Sequence, residues 1–288
     1  ARQPRLGTGI GRVYSRAVSV LADPIFPEHP IDVRLVAADL DGTLLDAAGA
    51  VPAELAGVLH RLRERGIVFA PASGRPYASL LHAFASVADE IDAYIADNGT
   101  YVVHHGVDVI TSYLAPETVA AVVRGVRELK ASGRVDLGLV VSGKELSYAE
   151  RADRRFTEAA GHYYANLTAT DDLLAHTTNA LKLSIYVFGD PHEVADKIAG
   201  LCPDAQVVVA TTHWVDVMSV GVNKGVALAR LQEALGVTRA QTVAFGDYLN
   251  DLEMLAQAEH SFAMANSHPD VFDTAAYIAP SNVAMGVV

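Results

Sequence analysis

From Val33 the chain alternates short apolar runs with stretches of helical periodicity, the order expected of a parallel sheet covered by helices. Leu35-Val36-Ala37-Ala38 is continuously apolar, as a strand buried on both faces should be, and it runs straight into Asp39-Leu40-Asp41-Gly42-Thr43. Pro52 opens a helix with Leu55, Val58, Leu59 and Leu62 on one face, and Gly66 closes it. A second strand, Ile67 to Ala70, delivers Ser73-Gly74-Arg75. A second helix carries Leu80, Leu81, Phe84 and Val87, and a third strand, Tyr94 to Ala96, ends in Asp97-Asn98-Gly99. Each predicted strand thus ends in a polar or glycine-containing loop, the edge at which open α/β sheets bind ligands.

The pattern changes after Tyr101. Up to about residue 217 there follow a hairpin-like stretch from Val102 to Ile110, a helix over 116–131, and strands at 137–141, 181–188, 206–210 and 214–218 with alternating apolar positions. This alternation predicts a mostly antiparallel α+β unit with one solvated face. The parallel pattern resumes with a helix after Asn223-Lys224-Gly225 and a strand, Thr242 to Phe245, that delivers Gly246-Asp247-Tyr248-Leu249-Asn250-Asp251. The predicted fold class is α/β: a doubly wound, Rossmann-like parallel core from residues 32–100 and 218–288, with an α+β cap domain inserted at 101–217. Residues 1–31 read as an N-terminal extension with an amphipathic pattern in Ile10, Val13, Tyr14, Ala17, Val18 and Leu21. Its Gly7-Thr8-Gly9-Ile10-Gly11 run lacks the preceding strand that a dinucleotide loop requires.

Composition narrows the function. The 288 residues suffice for a large core, and 51% are apolar, yet no run approaches the roughly 18 apolar residues of a membrane span. A cytoplasmic protein without a membrane partner is expected. Cys202 is the single cysteine, cannot form an internal disulfide, and is given no chemical role. A formal charge of −12 without a Lys/Arg cluster argues against nucleic acid as a partner. An anionic metabolite is repelled at long range too, so its chemistry would need a local positive centre, a metal ion or a few placed cations. Nothing in the pattern sets an oligomeric state.

Four polar clusters sit at predicted strand ends or helix starts: Asp39 with Asp41, Ser73, Lys224, and Asp247 with Asn250 and Asp251. Each alone also fits a turn or a helix cap. Together their types fit phosphate monoester hydrolysis, for which enzymes reach accelerations of up to about 10²¹-fold, far beyond the roughly 10² to 10⁴ of a general acid. Asp39 can attack phosphorus as a carboxylate nucleophile. Mg²⁺, held by an Asp39 oxygen, a backbone carbonyl near Asp41 and Asp247, would neutralise the meeting of two anions, with Lys224 as a second positive centre. Asp41, two residues on, can protonate the leaving oxygen and later activate water. Thr43, Ser73 and amides beside Gly74 can bind the remaining phosphate oxygens.

The segments Asp39-Leu40-Asp41-Gly42-Thr43-Leu44, Ala72-Ser73-Gly74-Arg75-Pro76, Asp97-Asn98-Gly99-Thr100, Asn223-Lys224-Gly225 and Gly246-Asp247-Tyr248-Leu249-Asn250-Asp251 resemble the haloacid dehalogenase superfamily, specifically Cof-like phosphatases with an α/β cap after the third core strand. The resemblance spans residues 33 to about 266. It implies Asp39 as nucleophile, Asp41 as acid/base, Ser73 and Lys224 on the phosphate, Asn250 near it, Asp247 on Mg²⁺ with Asp251 supporting the metal, and Arg75 and Asn98 facing the cleft. It favours sugar phosphates as substrates, with phosphorylated cofactors next. Tyr248 departs from the small or polar residue common there. A phosphotransferase or mutase would use the same residues. A phosphoacceptor signalling module shares the Asp acceptor, metal, hydroxyl and Lys but is shorter and needs no second carboxylate. In the cap, Tyr148, Glu150, Arg151, His162 and Tyr163 are candidates for substrate selection.

Overall fold

The structure, a computed structural model, describes residues 24–288; the amphipathic pattern and glycine run before residue 22 lie outside the described residues. In chain order the strands are β1 (Leu35–Asp39), β2 (Val68–Ala72), β3 (Ala93–Ala96), β4 (Tyr101–His104), β5 (Val107–Thr111), β6 (Leu137–Ser142) and β7 (Ser147–Ala149). They continue as β8 (Leu167–Ala169), β9 (Lys182–Val187), β10 (Ala205–Val209), β11 (Trp214–Ser219), β12 (Thr242–Gly246), β13 (His260–Met264) and β14 (Tyr277–Ala279).

Two sheets result. The larger has the order β14-β13-β12-β1-β2-β3-β4-β5, parallel from β14 to β3 and closed by the antiparallel β4–β5 hairpin. The hairpin, which the sequence grouped with the insert, therefore extends the parallel sheet. The smaller sheet has the order β10-β11-β9-β6-β7-β8, antiparallel except for the β7–β8 pair.

Strand parity builds both cores. In fully buried β1, Val36 and Ala38 face the cluster containing Leu55 and Leu59, while Leu35 and Ala37 face Ala227, Leu228 and Leu231 of the helix Lys224–Leu235. Helices thus cover both faces, which explains an apolar strand without alternation. In the smaller sheet, Leu139, Val141, Leu183, Ile185, Val215 and Val217 pack with Val119, Val122 and Val123 of the helix Pro116–Ala131.

The opposite parity carries Ser142, Lys182, Ser184 and Asp216, for which the alternation predicts a solvated face. All four are buried, between 0% and 4% exposed. That expectation is corrected by docking: this face lies on loops of the larger sheet, so its polar groups are desolvated against partners there.

Candidate active site

Asp39 ends β1, at the centre of the larger sheet between β12 and β2, and its carboxyl is buried. The chain then turns sharply, with Gly42 at φ +88°. A Cβ at Gly42 would lie 2.3 Å from Asp247 Oδ2, so this position needs glycine both for its backbone conformation and for the approach of Asp247. Asp247 follows β12, the parallel neighbour of β1, and its Oδ1 accepts a 2.8 Å hydrogen bond from Thr43 Oγ1. Thr43, expected at the phosphate, is fully buried and orients Asp247.

Asn223 starts the helix Lys224–Leu235, its side chain accepting from the Val226 amide. This puts Lys224 in the first turn, buried, with Nζ 2.5 Å from Asp39 Oδ1 and 2.7 Å from Asp251 Oδ1. The other Asp251 oxygen accepts from the amides of Asp247 and Tyr248 at 3.1 and 3.2 Å. Among the described residues this leaves Asp39 Oδ2 and Asp247 Oδ2 without a donor, so Lys224 and Asp251 stand behind the pair of carboxylates that faces the cleft.

Burial, reinforced by Asp251, pushes the Asp39 carboxyl well above the usual carboxylate range against the opposing pull of Lys224. Burial and Asp251 likewise raise Asp247, to about 6. Burial works against the Lys224 charge, but Asp251 and Asp39 together outweigh it and hold its pKa above the ordinary value. Asp39, Asp247 and Asp251 offer oxygen atoms within 4.8 Å of one another. Three carboxylates against one ammonium leave excess negative charge and two unpaired oxygens, a donor set that fits a hard divalent cation.

The remaining predicted residues converge on the same place. A cavity of about 320 Å³ is lined by Asp39, Asp41, Ser73, Gly74, Arg75, Asn98, Asp247 and Asn250 from the larger sheet's loops. Asp41 is exposed, and its carboxylate is held by Arg75 through Nε at 2.9 Å and an Nη at 2.5 Å. Asp97, Asn98 and Gly99 all have positive φ, a turn pinned by the Asp97 amide on the Arg75 carbonyl and the Asn98 amide on the Ser73 carbonyl. Asn98 Oδ1 accepts from Asn250 Nδ2 at 3.3 Å.

The smaller sheet and its helices close the cavity with Tyr163, Tyr164, Lys182, Ser184, Trp214 and Asp216. Of the five candidates named there from sequence, Tyr163 alone lines it, with the Arg75 guanidinium 5.6 Å from its ring centre. Tyr148 stacks on His176, Glu150 pairs with Arg127, Arg151 pairs with Asp136 and Asp153, and His162 is exposed. Lys182, Ser184 and Asp216 were missed. Their signal was a charged or hydroxyl residue at every second position of an otherwise apolar strand.

Residues 36–288 match the family model of haloacid dehalogenase-like hydrolases, and the chain belongs to that family. It is 31% identical over 262 residues to a 5-amino-6-(5-phospho-D-ribitylamino)uracil phosphatase of Escherichia coli K12, covering 90% of this chain and 94% of that protein. It is 29% identical over 246 residues to an HMP-PP phosphatase of Cronobacter sakazakii, covering 83% of this chain and 86% of the other. Among solved structures, SMU.1108c of Streptococcus mutans superposes with a TM-score of 0.79 at 25% identity, covering 88% of this chain and 96% of that one. The subclass IIB sugar phosphatase BT4131 shares the fold, with a TM-score of 0.74 at 18% identity over 88% of this chain and 96% of its own.

Proposed function

We infer that this enzyme is a phosphatase of small phosphorylated metabolites, in which Asp39 attacks the phosphoryl group and Mg²⁺ is the metal. The single observation that carries the reading is the convergence of Asp39 and Asp247 at adjacent strand ends, each with one oxygen free among the described residues, over a buried Lys224–Asp251 pair. Asp39 and Asp247 would hold the ion, supported by the Asp41–Gly42 backbone, and the ion supplies charge neutralisation between carboxylate and phosphate. Lys224 keeps the Asp39 carboxylate fixed through Oδ1, so that one of its two oxygens can meet the ion and the other phosphorus. The buried Ser73 hydroxyl and the Gly74 backbone border the same cavity and would take phosphate oxygens.

Asp41 is the candidate acid/base. At the cavity mouth it can reach a leaving-group oxygen once Arg75 turns to the substrate. Hydrolysis rather than transfer is favoured by the identity of the relatives, both named as phosphatases.

Sugar phosphates are favoured by the family resemblance. The aromatic walls from Tyr163, Tyr164, Trp214 and Tyr248 also suit a leaving group carrying a flat heterocycle. One named relative is a phosphatase of such a compound, a phosphoribitylaminouracil. The cap at 101–217 would then supply selectivity, with core residues 32–100 and 218–288 supplying the chemistry.

The test is release of inorganic phosphate from a panel of sugar phosphates and heterocycle-bearing phosphates, with and without Mg²⁺, beside Asp39→Asn. We expect metal-dependent release by the wild type, and loss of turnover in the variant with its thermal midpoint kept or raised, because a carboxyl whose burial is costly has been replaced. Turnover by Asp39→Asn near the wild-type rate would exclude Asp39 as nucleophile.

A further inference from the structure

On the wall of the cavity a second buried charge cluster joins the two sheets. Lys182 of β9 and Asp216 of β11 are 2% and 4% exposed. A lysine ammonium has three N–H donors, and three acceptors surround this one: the Gly74 carbonyl, Asp97 Oδ1 at 3.4 Å and Asp216 Oδ2 at 3.3 Å. Two of these belong to loops of the larger sheet. Its charge is already matched by two carboxylates, so Lys182 is not a spare cation awaiting the phosphate.

Asp216 extends the connection. It accepts from Ser184 Oγ at 2.5 Å and from Asn98 Nδ2 at 3.1 Å, and Asn98 in turn accepts from Asn250 Nδ2. The smaller sheet thereby grips both the Ser73–Gly74 loop and the Asn98–Asn250 pair. Burial of a lysine with two carboxylates is a poor source of stability, because desolvation offsets the attraction, and an apolar pair would fill the same volume. What the cluster does provide is fixed geometry at two places on the cavity wall.

We propose that Lys182 and Asp216 are positioning residues, which hold the Gly74 carbonyl and the Asn98–Asn250 pair so that the phosphate site is completed by the smaller sheet. The proposal rests on the phosphatase reading above. It differs from a purely structural role in one respect: disturbing the cluster changes affinity for phosphate itself.

The experiment uses the full chain with Mg²⁺, p-nitrophenyl phosphate as substrate and inorganic phosphate as inhibitor, comparing wild type, Lys182→Met and Asp216→Asn. Asp216→Asn keeps Lys182 opposite one carboxylate, Asp97, and so guards against a Lys182→Met protein that does not fold. In Asp216→Asn, kcat/KM should fall about tenfold or more and the inhibition constant for phosphate should rise similarly, the scale on which a misplacement of about 1 Å acts. Its thermal midpoint should stay within a few degrees of wild type. A lowered midpoint with unchanged phosphate inhibition and unchanged kcat would overturn the proposal. If the wild type released no phosphate from any ester, the phosphatase reading would fall, and phosphate binding by calorimetry across the same variants would still decide the positioning role by the same criterion.

Discussion

Lys224→Met separates the electrostatic account of the site from a merely spatial one. The ammonium is fully buried and bridges Asp39 and Asp251 at 2.5 and 2.7 Å, so a methionine of similar length leaves two desolvated carboxylates facing each other. Removing one partner of a buried ion pair costs about 3–5 kcal/mol. Part of that cost is relieved when one carboxyl takes up a proton, and Asp39, already raised with Lys224 present, is the group to do so. Its folded-state pKa then lies above its unfolded value, so the relief is complete at low pH and is lost as pH rises through the folded pKa. The penalty of the substitution therefore grows with pH, by up to about 1.4 kcal/mol per unit and up to about 2.7 kcal/mol between pH 5.5 and 7.5. Urea unfolding in EDTA at those two pH values measures it, with unchanged slopes confirming a common unfolded state. Lys224→Met/Asp251→Asn, which removes one of the orphaned charges, should recover at least half the loss. A penalty below about 1 kcal/mol, or one equal at both pH values, would refute the reasoning.

Two further outcomes follow from the same geometry. Asp247, raised to about 6 from an ordinary 3.8, must lose its proton to ligate a metal. The increase in thermal midpoint caused by Mg²⁺ should therefore be small at about pH 5 and large at about pH 7.5, whereas the metal-free protein should lose stability as pH rises through about 6; a metal effect independent of pH would contradict the assignment. Gly42→Ala places a Cβ on the Asp247 carboxylate in a left-handed backbone and should cost about 1–3 kcal/mol together with a weaker Mg²⁺ response. Wild-type Mg²⁺ titration in that variant would show that the Gly42–Asp247 approach is not needed.

Local pattern determined a good deal by itself. The apolar runs at 35–38, 67–70, 94–96 and 242–245 lie within β1, β2, β3 and β12 or within a residue of them, because strands buried on both faces leave no ambiguity of period. The helix expected at 116–131 is Pro116–Ala131, with proline at its start. Loop chemistry at these strand ends also marked Asp39, Ser73, Asn98 and Asp247 as neighbours, since parallel strands bring their carboxyl ends to one edge. Short elements such as β7, β8 and the helix Arg154–Gly161 escaped, their patterns being too brief to fix a period.

Tertiary structure alone decided the partners of the charges. Alternation in β9 and β11 reports that Lys182, Ser184 and Asp216 face a different environment from Leu183 and Val217, but a polar face meeting water and one meeting another domain's loops have the same period. Likewise no spacing reveals that Lys224 spans Asp39 and Asp251, or that Arg75 holds Asp41. Those pairings join residues far apart in the chain, and they form only where the folded larger sheet has already brought the groups together.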